Sequence, residues 1–173
     1  MHRSTLGVFV ALSGSLFCSG VTFAQVPMGG YAVPLNLANE AAAEAVRVCE
    51  ERGYNVSATV VDADGVPKVV LRGDGATVHT KDSAFAKAYT VVTMGPIFHL
   101  DATSKFAEIV AKAPPGQVFL NANMTTAGGG YAFKVGNNIV GGLGVGGSPG
   151  GEKDEACAKA GVDKVKDRLP KAE

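Results

Sequence analysis

The sequence predicts one α+β domain: an antiparallel sheet of about five strands, with the N- and C-terminal helices on one face and two middle helices. Three observations support this prediction. Two pairs of candidate strands are each joined by a short turn rich in Asp, Asn or Gly, which makes each pair a hairpin and the sheet antiparallel. Segments with helical periodicity precede, separate and follow the hairpins. The length of 173 residues, 46% hydrophobic and 18% charged, suits one domain rather than two.

The first 24 residues have the features of a secretory signal peptide. His2 and Arg3 precede an apolar run over 6–21, and small residues lead up to Ala24. We expect cleavage after Ala24, a lead-in segment over 25–35, a folded domain over 36–170, and export to the periplasm or the medium. The apolar run, about 16 residues long and interrupted by Ser and Gly, is short for a membrane-spanning helix. We therefore expect no membrane association after leader removal.

The first helix and the first hairpin follow from local patterns. Alanines and other apolar residues recur on one arc from about 36 to 52, and Gly53 follows as a helix-ending residue. Two β-branched runs, 56–61 and 66–72, then flank the turn residues Asp62–Gly65. Asp62 and Asp64 suit a turn better than an acid/base pair, because Asp side chains in turns accept hydrogen bonds from nearby backbone N–H groups.

The second helix is predicted from Thr80 or Asp82 to about Met94, where Gly95 and Pro96 should end it. Its apolar face contains Phe85, Ala88 and Val92. A second group, here called the polar stripe, recurs on the opposite side with helical spacing: Ser83, Lys87, Thr90 and Met94. We expect this stripe to be exposed and to face a ligand or a partner subunit.

The rest of the chain predicts two more helices and a second hairpin. The third helix should begin at Thr103 or Ser104 and end before Pro114, and a last helix should span 152–169. A short apolar run over 118–120 is a further candidate strand, and strands over 131–135 and 139–145 flank the turn 136–138. Glycines in the last strand would let another backbone or a flat ligand approach closely.

Composition narrows the classes of function. The net charge is zero and the basic residues are scattered, so no nucleic-acid partner is expected. No His-x-x-x-His or Cys-x-x-Cys spacing occurs, which argues against a zinc site. Cys49 and Cys157 remain in the mature chain, and the sequence leaves open whether they form a disulfide or stay as two thiols.

In their order along the chain, several motifs resemble the heme-binding HbpS and GlcG-like family. They are Asp62–Gly65, Arg72, Asp74–Ala76, Lys87–Thr90, Gly128–Gly130, the glycine-rich stretch 136–147 and Asp154–Gly161. The resemblance covers about 35–165. It implies a profilin-like fold, a homo-oligomer, and heme binding in sensing, storage or degradation. It also implies that Thr90, matched to the family's threonine, contacts the heme iron.

The residues themselves offer candidates for each part of a heme site, which needs an axial ligand, an apolar slot and cations for the propionates. The predicted cofactor-binding residues are Thr90, Lys87, Met94, His79 and Arg72. Of these, Thr90 and His79 are the candidate iron ligands. His79 is alternatively an exposed loop residue.

Two further groups have competing interpretations. His99 is either an iron ligand or a buried histidine in an apolar loop. Glu152 and Glu155 have the spacing of an iron site, but their place in the first turn of a helix suits the helix dipole better.

Three functions are consistent with these residues. The leading one is an exported protein that binds heme or another tetrapyrrole. The alternatives are a small-molecule enzyme or organic-acid-binding protein of the GlcG type, and an oligomeric interaction module. The sequence does not decide whether the protein is an enzyme.

Overall fold

The computed structural model describes residues 32–118 and 120–170, and within them it has four α-helices and four strands. Their bounds, with a final 3₁₀ turn, are α1 Leu35–Glu50, β1 Ser57–Asp62, β2 Pro67–Arg72, α2 Thr80–Phe98, α3 Thr103–Lys112, β3 Gly130–Val135, β4 Asn138–Gly146, α4 Gly151–Val165 and Lys166–Arg168. The predicted signal peptide and most of the lead-in segment lie outside the described residues.

The four strands form one antiparallel sheet in the order β2-β1-β4-β3, which confirms the predicted α+β class. The prediction of about five strands was one too many. Val118 and Leu120, the described residues of the short apolar run, lie in a loop. A run of three residues is at the lower limit of strand length, so its sequence was weak support for a fifth strand.

Alternation along β1 divides the interior into two layers. Ala58 and Val60 pack with α1 and α4 on one face of the sheet, whereas Val61 packs with α2 on the other. The first and last helices therefore cover the same face, as predicted. Gly161 of α4 lies directly against the backbone of Ala41 in α1, so these two helices are close neighbours.

The glycines of β4 bring α2 onto the sheet. A Cβ atom added at Gly142 would lie 2.8 Å from the Ala88 carbonyl oxygen, and one at Gly144 would overlap the Ala84 carbonyl oxygen. Gly146 similarly faces the backbone of Ala84. The sequence predicted that these glycines admit either another backbone or a flat ligand. At this face of the sheet they admit the backbone of α2.

Helix α2 does not end at Gly95 as predicted but continues through Pro96 to Phe98. In helical geometry the proline ring clashes with the backbone N–H and the Cβ of the preceding residue, and Gly95 has no Cβ, which removes part of this clash. His99 caps the helix in the left-handed conformation, with φ 54° and ψ 47°, and the Leu100 N–H donates to the Gly95 carbonyl at 3.0 Å.

Cys49 and Cys157 form a disulfide that links the end of α1 to the middle of α4, with a Cα–Cα distance of 5.7 Å. Both residues are fully buried. Of the two states that the sequence left open, the structure therefore contains the disulfide.

Candidate functional site

The polar stripe of α2 is largely buried rather than exposed. Lys87 is 4% exposed and Thr90 is 0% exposed, whereas Ser83 and Met94 are partly buried. The predicted exposure was wrong because the β4 glycines let α2 sink onto the sheet. In addition, the segment 121–130 and the start of α4 cover the side of the helix that contains Lys87 and Thr90.

Lys87 forms a buried ion pair with Asp154 at the start of α4. Its Nζ lies 2.6 Å from Asp154 Oδ2, and Asp154 Oδ1 accepts the Ser148 N–H at 3.0 Å. The backbone at Gly129 and Gly130 packs against the lysine. This charge is therefore neutralised inside the protein and ties α2 to α4.

Thr90 is enclosed, and its hydroxyl both donates and accepts a hydrogen bond. Thr90 Oγ1 donates to the Ala86 carbonyl at 2.8 Å and accepts the Thr125 N–H at 2.9 Å. Because Thr90 is 0% exposed, an iron could not reach this oxygen with the backbone at Thr125 in place. Access to Thr90 thus requires the segment around Thr125 to move away from α2.

The other predicted heme residues lie apart from Thr90. His79 is exposed just before α2, with Nδ1 3.1 Å from Thr77 Oγ1, and Arg72 is exposed at the end of β2. His79 precedes Thr90 by 11 residues, or about 16 Å along a helix at 1.5 Å per residue. Met94 is partly buried, one turn beyond Thr90. The structure therefore does not bring Thr90 and His79 together around one iron, and this residue set stays a prediction.

The acidic residues with competing interpretations have structural roles. Asp62 Oδ1 accepts the N–H groups of Asp64 and Val66, at 3.0 and 2.9 Å, which makes it a turn residue. Glu155 accepts the Ser104 N–H at 3.0 Å and the Ser104 hydroxyl at 2.6 Å, so it caps the start of α3. Over residues 32–118 and 120–170, no three His, Cys, Asp or Glu side chains cluster as a metal site would require.

A cleft of about 550 Å³ opens where the carboxyl end of α2 meets the β3–β4 hairpin. Its lining is Gly95, Pro96, His99, Leu100, Lys134, Asn137, Asn138 and Ile139. His99 is exposed here and is not the buried histidine that the sequence suggested. The cleft thus combines an imidazole, an ammonium group and two amides with apolar side chains.

Sequence reasoning considered His99 but missed Lys134, Asn137 and Asn138. The hairpin turn 136–138 was predicted, but its contact with the end of α2 is a long-range feature. In the sequence, only Gly95 hints at this contact. A Cβ at that position would overlap Ile139 of β4, so the close approach of the hairpin requires a glycine there. A glycine next to a proline in a helix can therefore mark a place where another element approaches.

The comparisons with known proteins agree on one family. A family profile described as "Haem degrading protein HbpS-like" matches residues 33–163. The crystal structure of HbpS is similar, with 34% identity over 79% of this chain and 92% of that chain and a TM-score of 0.71. A double mutant of HbpS from Streptomyces reticuli shares 32% identity over 93% and 99% of the two chains, also with a TM-score of 0.71.

A third similar structure is a heme complex of PduOC, with 26% identity over 82% of this chain and 99% of that chain and a TM-score of 0.68. Among curated proteins, none matches significantly. No helix within the described ranges is both long enough and apolar enough to cross a bilayer. The match of the family profile to 131 residues, 33 through 163, and the 34% identity to HbpS show that this chain belongs to the HbpS-like family.

Proposed function

We propose that this protein binds heme. The observation that supports the proposal most directly is the similarity to PduOC in its heme complex, which extends over 99% of that chain. Membership of a family whose description names heme degradation points to the same ligand.

The residues of this chain fit a heme in their chemistry. A heme site needs an axial ligand, apolar contact and cations near the propionates. The hydroxyl of Thr90 and the imidazoles of His79 and His99 are potential ligands, and Arg72 and Lys134 are exposed cations. When bound, the heme would supply an iron centre for ligand binding or redox chemistry, while this chain would position it and limit its access to water.

A titration of the protein with hemin tests the proposal. Binding should produce a saturable shift of the Soret band at one heme per chain. A Soret band that stays at the position of free hemin over the whole titration would refute heme binding. Following the bound Soret band after addition of a reductant and oxygen then separates storage from degradation, because only degradation removes the band.

The prediction for Thr90 needs a pair of variants. Thr90→Ala removes the hydroxyl, whereas Thr90→Ser keeps an oxygen that can still accept the Thr125 N–H. If Thr90 contacts the iron, the alanine variant should bind heme more weakly and the serine variant should bind nearly as the parent does. Equal affinity in all three proteins would remove Thr90 from the site.

A role of Lys87 in heme binding cannot be tested by a single substitution alone. Loss of its ammonium group would leave Asp154 buried without a compensating charge, which destabilises a protein by roughly 3–5 kcal/mol. A Lys87 variant that fails to bind heme would therefore reflect lost folding as readily as lost contact. Heme binding by such a variant is interpretable only with an unfolding curve measured beside it.

Export of the mature chain from Gln25 is part of the proposal. The Cys49–Cys157 disulfide supports it, because disulfides persist mainly in oxidising compartments outside the cytoplasm. N-terminal sequencing of the protein from the periplasm or the medium should give Gln25 as the first residue. An intact N-terminus on protein from the cytoplasm would contradict export.

A homo-oligomer is also proposed. Between residues 83 and 98 the only charged side chain is Lys87, and it is buried, so the outer surface of α2 has no charged side chain over that range. Ile97, on that helix, is 63% exposed. An uncharged, partly apolar helix surface suits contact with a second copy. Light scattering after gel filtration should give a mass of at least two chains.

A further inference from the structure

We infer that residues 120–127 form a lid over Thr90, held closed by a single hydrogen bond, and that heme reaches Thr90 only when this lid opens. The inference rests on the proposed heme binding and adds to it the control of access to the site. It follows from how unequally the segment 120–130 is attached to the rest of the domain. Residues 120–127 are loosely attached, whereas residues 128–130, here called the base, are firmly attached.

The base is bonded to three different elements. The Gly130 N–H donates to Thr103 Oγ1 at 2.8 Å, and the Gly129 N–H donates to Glu155 Oε2 at 3.3 Å. The Gly129 carbonyl accepts the Val145 N–H at 2.8 Å. These bonds join the base to α3, α4 and β4. The base should therefore stay in place as long as the domain is folded.

The lid has only one hydrogen bond to the rest of the described chain. This bond runs from the Thr125 N–H to Thr90 Oγ1 and is 2.9 Å long. The lid's three other hydrogen bonds are made within it, by the N–H groups of Asn123, Met124 and Ala127 to Asn121 and Thr125. Opening would thus break one hydrogen bond and keep the three that shape the lid.

Solvent exposure agrees with this division. Within the lid, residues 120–123, 126 and 127 are exposed, and only Met124 and Thr125 are partly buried. Gly129 and Gly130 of the base are buried. A segment with few buried side chains and little hydrogen bonding lies at the low end of local stability. The lid should therefore open locally, without unfolding of the domain.

The lid and the base cover different side chains of α2. With the lid closed over it by the Thr125 backbone, Thr90 is 0% exposed. The base packs against Lys87, since a Cβ added at Gly129 would lie 2.8 Å from the lysine Cδ. Opening should therefore expose Thr90 and leave the Lys87–Asp154 pair buried. The apparent affinity for heme then depends on the fraction of molecules with an open lid.

The test removes the closing hydrogen bond without changing Thr90. Thr125→Pro removes the N–H that donates to Thr90, because proline has none. Thr125→Ala is the matched control, since alanine keeps this N–H and both variants lose the threonine hydroxyl. The φ of Thr125 is not positive, so proline has the required sign of φ at this position. Unfolding temperatures show whether both variants keep the fold.

We expect Thr125→Pro to bind heme more tightly than the parent, through faster association and unchanged dissociation. One net hydrogen bond corresponds to a factor of about 2–13 in the open population while the closed form predominates, and the apparent affinity should rise by the same factor. Thr125→Ala should match the parent. Stopped-flow mixing with hemin, followed at the Soret band, measures both rates. A folded Thr125→Pro variant that binds no faster and no more tightly than the parent would overturn the inference.

Hydrogen exchange of the heme-free parent protein tests the lid without a substitution. Corrected for intrinsic rates, the Thr125 amide should be much less protected than the amides of Gly130 and Val145, because only the first is released by lid opening. Residue-resolved exchange by NMR gives this comparison. Equal protection of the three amides would overturn the inference, even where Thr125→Pro does not fold.

The outcomes separate the inference from the proposed function. A parent protein that binds heme, together with a folded Thr125→Pro variant of equal affinity, would overturn the lid and leave heme binding intact. No binding by the parent would refute heme binding, and with it the control of a heme site, even if exchange showed that the segment opens.

Discussion

Reduction of the Cys49–Cys157 disulfide should lower the stability of the domain substantially. The bond joins cysteines 108 residues apart in sequence. In the chain-entropy treatment, opening a loop of about 100 residues returns about 4.7 kcal/mol of conformational free energy to the unfolded state at 25 °C. Both sulfurs are buried between α1 and α4, so the packing of these helices should persist in the reduced protein. We therefore expect a folded but weaker domain.

The loss should be visible in thermal unfolding. A change of 1 kcal/mol shifts the midpoint by about 2–4 °C in a protein of about 150–250 residues, so the midpoint should fall by roughly 10–20 °C. Far-UV circular dichroism should be recorded on oxidised protein and on the same protein reduced in denaturant and refolded with reductant present. A Cys49→Ala/Cys157→Ala double variant should unfold close to the reduced protein and should not respond to reductant.

The result that would refute this reasoning is a reduced protein that unfolds within about 3 °C of the oxidised one. It would mean that the unfolded chain does not gain the expected freedom, for example because it keeps α1 and α4 in contact.

Three further predictions concern stability. Gly144→Ala should cost about 3 kcal/mol of stability, the upper part of the range for overpacking, because the added Cβ would meet the α2 backbone. Gly136→Ala should cost only about 1–2 kcal/mol, because the site is open and only its positive φ is unfavourable for alanine. Urea midpoints that rank the two variants oppositely would contradict this explanation. Thr59→Val should raise stability by about 1 kcal/mol, because the buried Thr59 hydroxyl has no partner among the described residues; a lower unfolding temperature would show that it has one. The hydrogen bond from Arg168 lowers the pKa of Glu40 from about 4.5. This pair should therefore stabilise the protein above that pH, and the stabilisation should be lost as pH falls through the lowered pKa. If the unfolding temperatures of Glu40→Gln and the parent differ by the same amount at pH 7 and pH 3, the ion pair is not the source of the difference.

The features predicted correctly depend on residues close together in sequence. The turn between β1 and β2 follows from Asp62 and Gly65, whose backbone and side-chain hydrogen bonds are made within five residues. The same holds for the second hairpin, where the turn residues Gly136–Asn138 lie between two short, largely apolar segments that pair antiparallel. The antiparallel sheet and the α+β class then follow from the two hairpins.

The errors arose where a distant element decided the outcome. The side of α2 that faces the sheet is set by Gly142 and Gly144, which lie about 50 residues further along the chain. The Lys87–Asp154 pair joins residues that are 67 apart, and the sequence around either residue does not indicate that the two are in contact. Periodicity showed that the residues of the polar stripe lie on one side of α2. It could not show that the stripe faces the protein interior.

The buried stripe also bears on where a ligand can bind with least reorganisation. At Thr90, a ligand must break the hydrogen bond from Thr125, worth about 0.5–1.5 kcal/mol net, and must move a covering segment, so its apparent affinity falls with the population of the open form. Binding at Thr90 should therefore alter amide exchange at Thr125. Hydrogen exchange with and without heme thus tests the Thr90 site without any substitution, and unchanged exchange at Thr125 in the heme-bound protein would place the heme elsewhere.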